Sequence, residues 1–423
     1  MSKDSAASNT VITISVVLLR IIIGGIFVFS GFAKGIDLWG VIYKLDDYFG
    51  AFGWDWALPF SGFCAVVLCF VEFLLGVLLA IGSFRRCSVW LLLCVMAFML
   101  PLSFYIYLND PVSDCGCFGD AIVISNLSTF WKNILITGGL CWLLKYNKSV
   151  RSFYGPAVQW LTVLLPSLYL ITIMVLGYYW QPILDFRPYK VGTYISGEDS
   201  GNDADYLFLY EKGGEEKYFS LDNLPDSSWT FINRVEKEND NAPDGGKVVN
   251  PIAIYDGDTD VTSDVLVNEG GEVLLLIPDI SSINVALTFK INELYETLSD
   301  SGISMICLTG GSGRDIEDWK DISMADYPIY KMDESQLKTI ARGNPALVII
   351  DDGKIVWKST MQSLDDDDLA NLISDYGELE SFDMQVLLGL TLLLAVAMSI
   401  LLLVNRSPML IKLTMRLGKN QNK

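Results

Sequence analysis

Histidine is absent from all 423 residues of the chain. Its absence excludes haem held by histidine, zinc sites with imidazole ligands, and nucleophiles activated by a neighbouring histidine. Basic residues are scarce, with 30 Lys and Arg against 50 Asp and Glu, and they form no cluster suited to a phosphate backbone. The composition therefore predicts a protein without haem or metal that binds no nucleic acid.

Hydrophobic residues, in contrast, make up 51% of the chain, more than an ordinary soluble protein carries. They gather in long runs that approach or exceed the ~18 residues expected of a membrane-spanning helix. Six spans are predicted, at residues 11–33, 59–81, 87–108, 130–144, 160–180 and 385–404. The lipid bilayer is thus a predicted partner.

The charges predict an orientation. Basic residues follow the second, fourth and sixth spans, whereas residues 181–381 hold 40 acidic against 15 basic residues. Because cytoplasmic loops carry the excess of Lys and Arg, both termini are predicted to be cytoplasmic. Residues 181–384, and the loop between the third and fourth spans, would then face the periplasm of a bacterial inner membrane, where disulfides persist.

That loop holds the two cysteines that lie close together in a polar segment, Cys115 and Cys117, with Gly116 between them. A disulfide between them requires a sharp turn, which glycine permits. Strained, exposed disulfides are labile and often catalytic. A static loop staple, or two thiols with neither role, remains an alternative, and the flanking Asp114 and Asp120 disfavour a thiolate.

Two charged residues interrupt the first two spans. Arg20 and Glu72 each lie about ten residues from the predicted cytoplasmic end of their span, which places both ~15 Å deep. They are predicted to form an intramembrane ion pair, either a proton or cofactor site or a structural pair that fixes helix register. Lys34, at the outer end of the first span, is a candidate binding residue that can snorkel to the interface.

Three short motifs accompany these residues: SGFAK at 30–34, EFLLG at 72–76 and CGCFG at 115–119. With Arg20 and the glycines of the first span, they give residues 12–146 a resemblance to the DoxX and MauE family of four-helix bacterial membrane proteins. MauE-type members are linked to disulfide formation in an exported dehydrogenase subunit, and DoxX-type members to thiosulfate:quinone oxidoreductase systems. The resemblance implies redox work in the cell envelope, with Cys115 and Cys117 as the candidate catalytic residues.

The outer region alternates strands and helices from residue 271 to 376, which predicts a mixed sheet covered by helices. It resembles a thioredoxin-like domain, with Pro345 at the place of the cis-proline of that fold. The Cys-x-x-Cys that such enzymes carry after the first strand is missing, and Cys307 is interpreted as a core residue. Ile283, Asn344 and Pro345 are predicted to form a client-binding surface.

The chain is accordingly predicted to be a multi-domain membrane protein: a helical bundle, four helices of it DoxX/MauE-like with two further spans, and an external α/β domain. The predicted boundaries are 1–150 (four-span domain), 151–182 (fifth span), 183–250 (small β-rich segment and linker), 251–382 (thioredoxin-like domain), 383–405 (sixth span) and 406–423 (basic cytoplasmic tail).

Two functions fit this architecture. In the first, Cys115 and Cys117 exchange disulfides with an envelope protein and the bundle passes the electrons to a quinone. In the second, the protein is not an enzyme: the disulfide is a staple and the outer domain docks an envelope partner. The reduction potential of the cysteine pair separates the two hypotheses.

Overall fold

The computed structural model describes residues 3–109, 112, 116–122, 124–147, 152–195, 206–212, 215–220, 230–236, 248–249, 252–266, 270–364 and 384–406. The contacts divide the chain into two units. The first comprises Met1–Leu184 and Ser381–Lys423, and the second comprises Asp185–Glu380.

Long helices build the first unit. They are α1 (Lys3–Ile36), α2 (Leu38–Ala51), α3 (Ser61–Ile81, preceded by a 3-10 helix at Asp55–Phe60), α4 (Arg85–Asn109), α5 (Asn126–Lys145), α6 (Leu161–Tyr179) and, after the second unit, α11 (Met384–Arg406). The side chain of Asp37 caps α2 by accepting a hydrogen bond from the Gly40 amide. Gly82 ends α3 in the left-handed conformation that glycine adopts without steric cost.

Helices α1 and α3 pack in an antiparallel pair at backbone distance. A Cβ placed on Gly24 would lie 2.8 Å from the Gly76 carbonyl oxygen and 2.9 Å from the Ala80 Cβ. One face of α1 thus carries small residues that let the neighbouring backbone approach, as the glycines of the first span predict. Gly25, one residue on, has open space where a side chain would be.

Five of the described helices have the length and apolar composition of a membrane span. They cover Val11–Ile36, Asp55–Ile81, Arg85–Asn109, Leu161–Tyr179 and Met384–Asn405. The predicted fourth span corresponds to α5, which is a 20-residue helix packed on α4 but is less apolar than the other five. Six spans, and their orientation, therefore stay predictions.

The second unit contains two sheets. The alternation of apolar and polar residues at 206–210 and 216–221, around a turn at 211–215, predicts a hairpin. This is confirmed: β2 (Tyr206–Lys212) and β3 (Glu215–Ser220) pair antiparallel, and β4 (Thr230–Glu236) joins β2 on its other side. The larger sheet comprises β1 (Tyr194–Ile195), β5 (Val248–Val249), β6 (Ile254–Asp256), β7 (Thr259–Asp260), β8 (Gly271–Ile277), β9 (Ser304–Thr309), β10 (Ile329–Met332), β11 (Ala346–Asp351) and β12 (Lys354–Thr360). Its order is β5-β1-β12-β11-β8-β9-β10-β6-β7, and the short helix α7 (Thr262–Val265) follows β7 along the chain.

The centre of this sheet has the thioredoxin-like arrangement that the sequence predicts. Strand β8 is parallel to β9 and antiparallel to β11, and α8 (Thr288–Asp300) lies between β8 and β9 along the chain. Helices α9 (Gly313–Ser323) and α10 (Glu334–Ile340) follow, and the Asn344–Pro345 peptide bond before β11 is cis. β8 is buried on both faces, as its unbroken apolar run requires.

The sequence predicts a tether at residues 181–194, after the fifth span, but from Asp185 onward this segment is part of the second unit. The Lys358 ammonium on β12 donates to Asp185 Oδ2 at 3.0 Å, to the Ile340 carbonyl at 2.9 Å and to the Tyr189 carbonyl. Arg187 donates to the same carboxylate through Nε at 2.7 Å. A buried lysine with three acceptors fixes this segment to the domain, because an unpaired ammonium there would be costly.

Candidate functional site

A buried polar cluster lies where α1 crosses α3. Lys34 Nζ donates to both carboxylate oxygens of Glu72, at 2.9 Å and 2.7 Å, and the Ser30 hydroxyl lies 2.7 Å from Oε2. Lys34 is 4% exposed, Glu72 5% and Ser30 7%. We call these three residues the polar cluster. The prediction that Lys34 snorkels to the interface is therefore wrong, since its charge is paired in the interior.

Glu72 pairs with Lys34 and not, as predicted, with Arg20. The glycine contacts set the helix register, and they bring Arg20 level with the end of α3, about 15 Å along the axis from Glu72. There the Arg20 guanidinium carbon lies 5.2 Å from the ring centroid of Phe153, whose amide donates to the Ile81 carbonyl. The prediction derived the depth of each residue from the end of its apolar run. Those ends do not determine which residues of two packed helices lie opposite each other.

The loop between α4 and α5 rests directly on this cluster. The carbonyl oxygen of Cys117 lies 2.6 Å from the Ser30 hydroxyl, and the Phe118 ring packs 5.6 Å from that of Phe29 on α1. Gly116 has a φ of +61°, the turn that the sequence predicts there. Cys115 and Asp114 lie outside the described residues, so the predicted disulfide stays a prediction.

Three lysines surround this loop, and sequence reasoning missed their convergence. A Cβ on Gly116 would lie 3.1 Å from Lys44 Cγ, and Lys132 Nζ lies 4.4 Å above the centre of the Phe118 ring. The third lysine, Lys34, donates to Glu72 beside Ser30, whose hydroxyl lies 2.6 Å from the Cys117 carbonyl oxygen. The prediction that considered only the two flanking aspartates therefore left out the positive charge of these lysines. The signal in the sequence was one lysine on each of three helices, and only the fold brings them together.

The polar cluster and the loop between α4 and α5 both face a cavity of about 440 Å³ inside the first unit. Its walls come from α1 to α5 and from the loop, and most of the lining side chains are apolar or aromatic. Among them are Phe27, Phe49, Phe52, Trp54 and Phe118. The cavity falls in the range of roughly 300–1,000 Å³ that small-molecule sites occupy.

In the thioredoxin-like domain, an asparagine side chain makes hydrogen bonds to the loop that stands in place of the missing Cys-x-x-Cys. The Asn344 side chain bridges that loop, donating to the Asp279 carbonyl at 2.7 Å and to Ser282 Oγ at 3.0 Å. Ile283 is 7% exposed and packs in the main core, so its predicted place on a binding surface is wrong. Burying its apolar side chain in the core stabilises the fold more than leaving that side chain exposed at the edge of the loop would.

Cys307 lies on β9 in the same core and is fully buried. Burial in apolar surroundings raises the pKa of its thiol above the ordinary value. A thiol that resists ionisation is a poor nucleophile, so the position supports its interpretation as a core residue.

Comparison with known proteins agrees with this division of the chain. The family model described as methylamine utilisation protein MauE matches residues 12–146. We refer to residues 12–146, which match this model over about a third of the chain, as the MauE domain. They include the polar cluster, the loop between α4 and α5 and the residues that line the cavity. A second family model, described as a domain of unknown function (DUF8463), matches residues 204–238, which include the β2–β4 sheet.

Solved structures resemble part of the chain at low identity. The thioredoxin domain of a thiol-disulfide oxidoreductase from Bacteroides vulgatus matches at 17% identity and a TM-score of 0.24, over 30% of this chain and 91% of its own. A putative protein disulfide isomerase from Bacteroides thetaiotaomicron matches at 17% identity and a TM-score of 0.24, over 30% and 83%. No curated protein sequence matches. The strand order, and not these likenesses, identifies the thioredoxin-like fold.

Proposed function

We propose that the MauE domain catalyses thiol–disulfide exchange through Cys115 and Cys117 for proteins of the cell envelope, and that the electrons pass to a quinone in the membrane. The observation that carries the proposal is the position of Cys117. It lines an apolar cavity among membrane-type helices, and the buried Lys34 lines the same cavity. An acceptor dissolved in the bilayer and a client outside it could thus both reach one short loop.

The proposed reaction has two balanced stages. A client dithiol gives two electrons and two protons to the Cys115–Cys117 disulfide, which becomes a dithiol as the client disulfide forms. A quinone, when bound, supplies the oxidising equivalents: it takes up two electrons and two protons and leaves as the hydroquinone while the loop disulfide re-forms. Lys34 places a positive charge on the cavity that Cys117 also lines, which in general favours a thiolate, and Ser30 donates to the Cys117 carbonyl.

The test uses the full-length protein in nanodiscs with a reduced dithiol peptide and a soluble quinone. Cys115→Ser and Cys117→Ser are expected to abolish peptide oxidation, whereas Cys141→Ser, an exposed thiol on α5, leaves it unchanged. A Cys117→Ala variant is expected to trap the client as a mixed disulfide on Cys115. Oxidation that continues without both loop cysteines would exclude the proposal.

The proposed localisation is the bacterial inner membrane, with both termini in the cytoplasm and residues 181–384 in the periplasm. The distribution of basic residues supports it. Protease added to intact spheroplasts should remove the outer domain and spare a tag placed after Lys423. Loss of that tag would contradict the orientation.

A second candidate function, docking of an envelope protein by the outer domain without catalysis, has its own observation. Two of the most exposed large apolar side chains of the second unit are Phe289 (76%) and Met324 (80%). They belong to one region, because Asn292 on α8 donates at 2.9 Å to the carbonyl of Ser323, the residue before Met324. Exposed apolar groups of this size mark contact surfaces.

Docking predicts that a photo-crosslinking residue at position 289 captures a partner in cells, and that the same residue at Thr297, on the exposed side of the same helix, does not. It also predicts a reduction potential of the loop disulfide below about −300 mV, the range of structural disulfides. A higher potential, with no crosslink at position 289, would favour the enzyme.

A further inference from the structure

We infer that the cavity of the MauE domain is the quinone site, and that the polar cluster at its edge receives a quinone carbonyl. The class of ligand, a quinone, is taken from the proposed function, and in that respect the inference rests on it. The place, and the residues that hold the ligand, come from the structure. The residues argued to hold the ligand do not include Cys115 or Cys117, so the site can be tested apart from the thiol chemistry.

The donor is the Lys34 ammonium. An ammonium has three N–H groups, and among the described residues the hydrogen bonds of Lys34 Nζ both go to Glu72. The third group remains for an acceptor in the cavity that Lys34 lines. Glu72 holds the ammonium in position and balances its charge, which suits a neutral carbonyl oxygen better than an anion.

The walls fit a flat ring. Aromatic side chains from α1, α2 and the segment after α2 line the cavity, and offset stacking against such rings favours a planar ligand. Leu68 on α3 lies one turn before Glu72, and Cys64 lies one turn earlier on the same face, so this wall leads from the polar cluster along the helix. A substituted benzoquinone has the shape and the two carbonyl acceptors that such a site selects.

The redox geometry follows from the same residues. Cys117 and Lys34 line the same cavity. The Cys117 carbonyl accepts a hydrogen bond from the hydroxyl of Ser30, a member of the polar cluster. A ring bound here is therefore next to the loop whose dithiol it oxidises. Transfer of two electrons and two protons converts dithiol and quinone to disulfide and hydroquinone, so no further reactant is needed.

The experiment is a calorimetric titration of the full-length protein in detergent with decylubiquinone, carried out in the Cys115→Ser/Cys117→Ser background so that no redox reaction interferes. Saturable binding is expected. Lys34→Met should weaken it about tenfold or more, because a charged hydrogen bond is lost. Leu68→Trp, which fills the cavity, should weaken it at least as much. Val67→Trp, the neighbouring position on the exposed side of α3, is the matched control and should bind as the parent does.

Gel filtration and the melting temperature establish that each variant is folded. If Leu68→Trp does not fold, Cys64→Phe takes its place on the same wall. Absence of saturable binding to the parent, or equal affinity in the filled and control variants, would overturn the site. Binding that behaves as expected in a protein that oxidises no dithiol would leave the site standing and remove the proposed function, so the two failures are distinguishable.

Discussion

The pairing of Lys34 with Glu72 predicts a specific pattern of energetic coupling within the bundle. Glu72→Gln would leave a buried ammonium with a neutral partner, and Lys34→Met would leave a buried carboxylate with the Ser30 hydroxyl. Removing one member of a buried ion pair costs about 3–5 kcal/mol, because the remaining charge is desolvated without compensation. The double variant Lys34→Met/Glu72→Gln removes both charges and should recover most of that loss.

A double-mutant cycle measures this coupling as the free energy of unfolding, by SDS titration in mixed micelles followed by circular dichroism. The cycle of Lys34 with Glu72 should give an interaction energy of about 2 kcal/mol or more, since the two are in contact. A parallel cycle of Arg20→Met with Glu72→Gln should be additive within about 0.5 kcal/mol, because residues farther than ~10 Å apart rarely couple. Additivity in the first cycle, or strong coupling in the second, would refute the register that the structure assigns.

Three further predictions concern packing and charge. Gly24→Ala should destabilise the bundle by about 1–3 kcal/mol because its Cβ meets α3, whereas Gly25→Ala, with open space around it, should be neutral or slightly stabilising in the same titration. Cys307→Ser should lower the stability of the thioredoxin-like domain by about 1–3 kcal/mol in urea, and the native thiol should react with a maleimide only after unfolding. Burial alone would raise the pKa of Asp185, but the charges of Arg187 and Lys358 lower it below its ordinary value. The stabilisation from Asp185 is therefore complete above about pH 4 and is lost as the pH falls further, and Asp185→Asn should flatten that acid-side loss in pH-dependent unfolding.

The sequence predicted those parts of the fold that depend on local pattern. Apolar length marks the helices, period-two alternation marks the β2–β3 hairpin, and the order of strands and helices, with Asn344 and Pro345 before β11, indicates the thioredoxin-like sheet. Each signal is contained in a short stretch of chain, so no knowledge of long-range contacts is needed.

The site could not be predicted in the same way because its geometry depends on how two helices slide against each other. The predicted partner of Glu72, Arg20, and the observed one, Lys34, are 14 residues apart on α1, from position 20 to position 34. Both cations lie on α1, and hydropathy does not distinguish them. The distinction comes from which glycine meets which backbone atom, as at Gly24 and Gly76.

Ile283 shows the same limit in the thioredoxin-like domain. The sequence places it in the loop that replaces the Cys-x-x-Cys, and a loop residue is expected to be accessible. The structure turns its side chain into the core and presents Phe289 and Met324 instead. Which apolar residue of a loop or helix end is buried depends on the tertiary packing beneath it.

The Ser30 hydroxyl makes the cysteine loop and the buried carboxylate compete for a single hydrogen atom. A serine carries one O–H donor, yet its oxygen lies 2.6 Å from the Cys117 carbonyl and 2.7 Å from Glu72 Oε2. While Glu72 is ionised, only one of these acceptors can receive that hydrogen at any moment. A displacement of the loop would release the hydrogen to Glu72, and a change at Glu72 would alter how firmly the loop is held. A change at the loop or at Glu72 therefore alters the hydrogen bond available to the other by rotation of one O–H bond, without any movement of the helices.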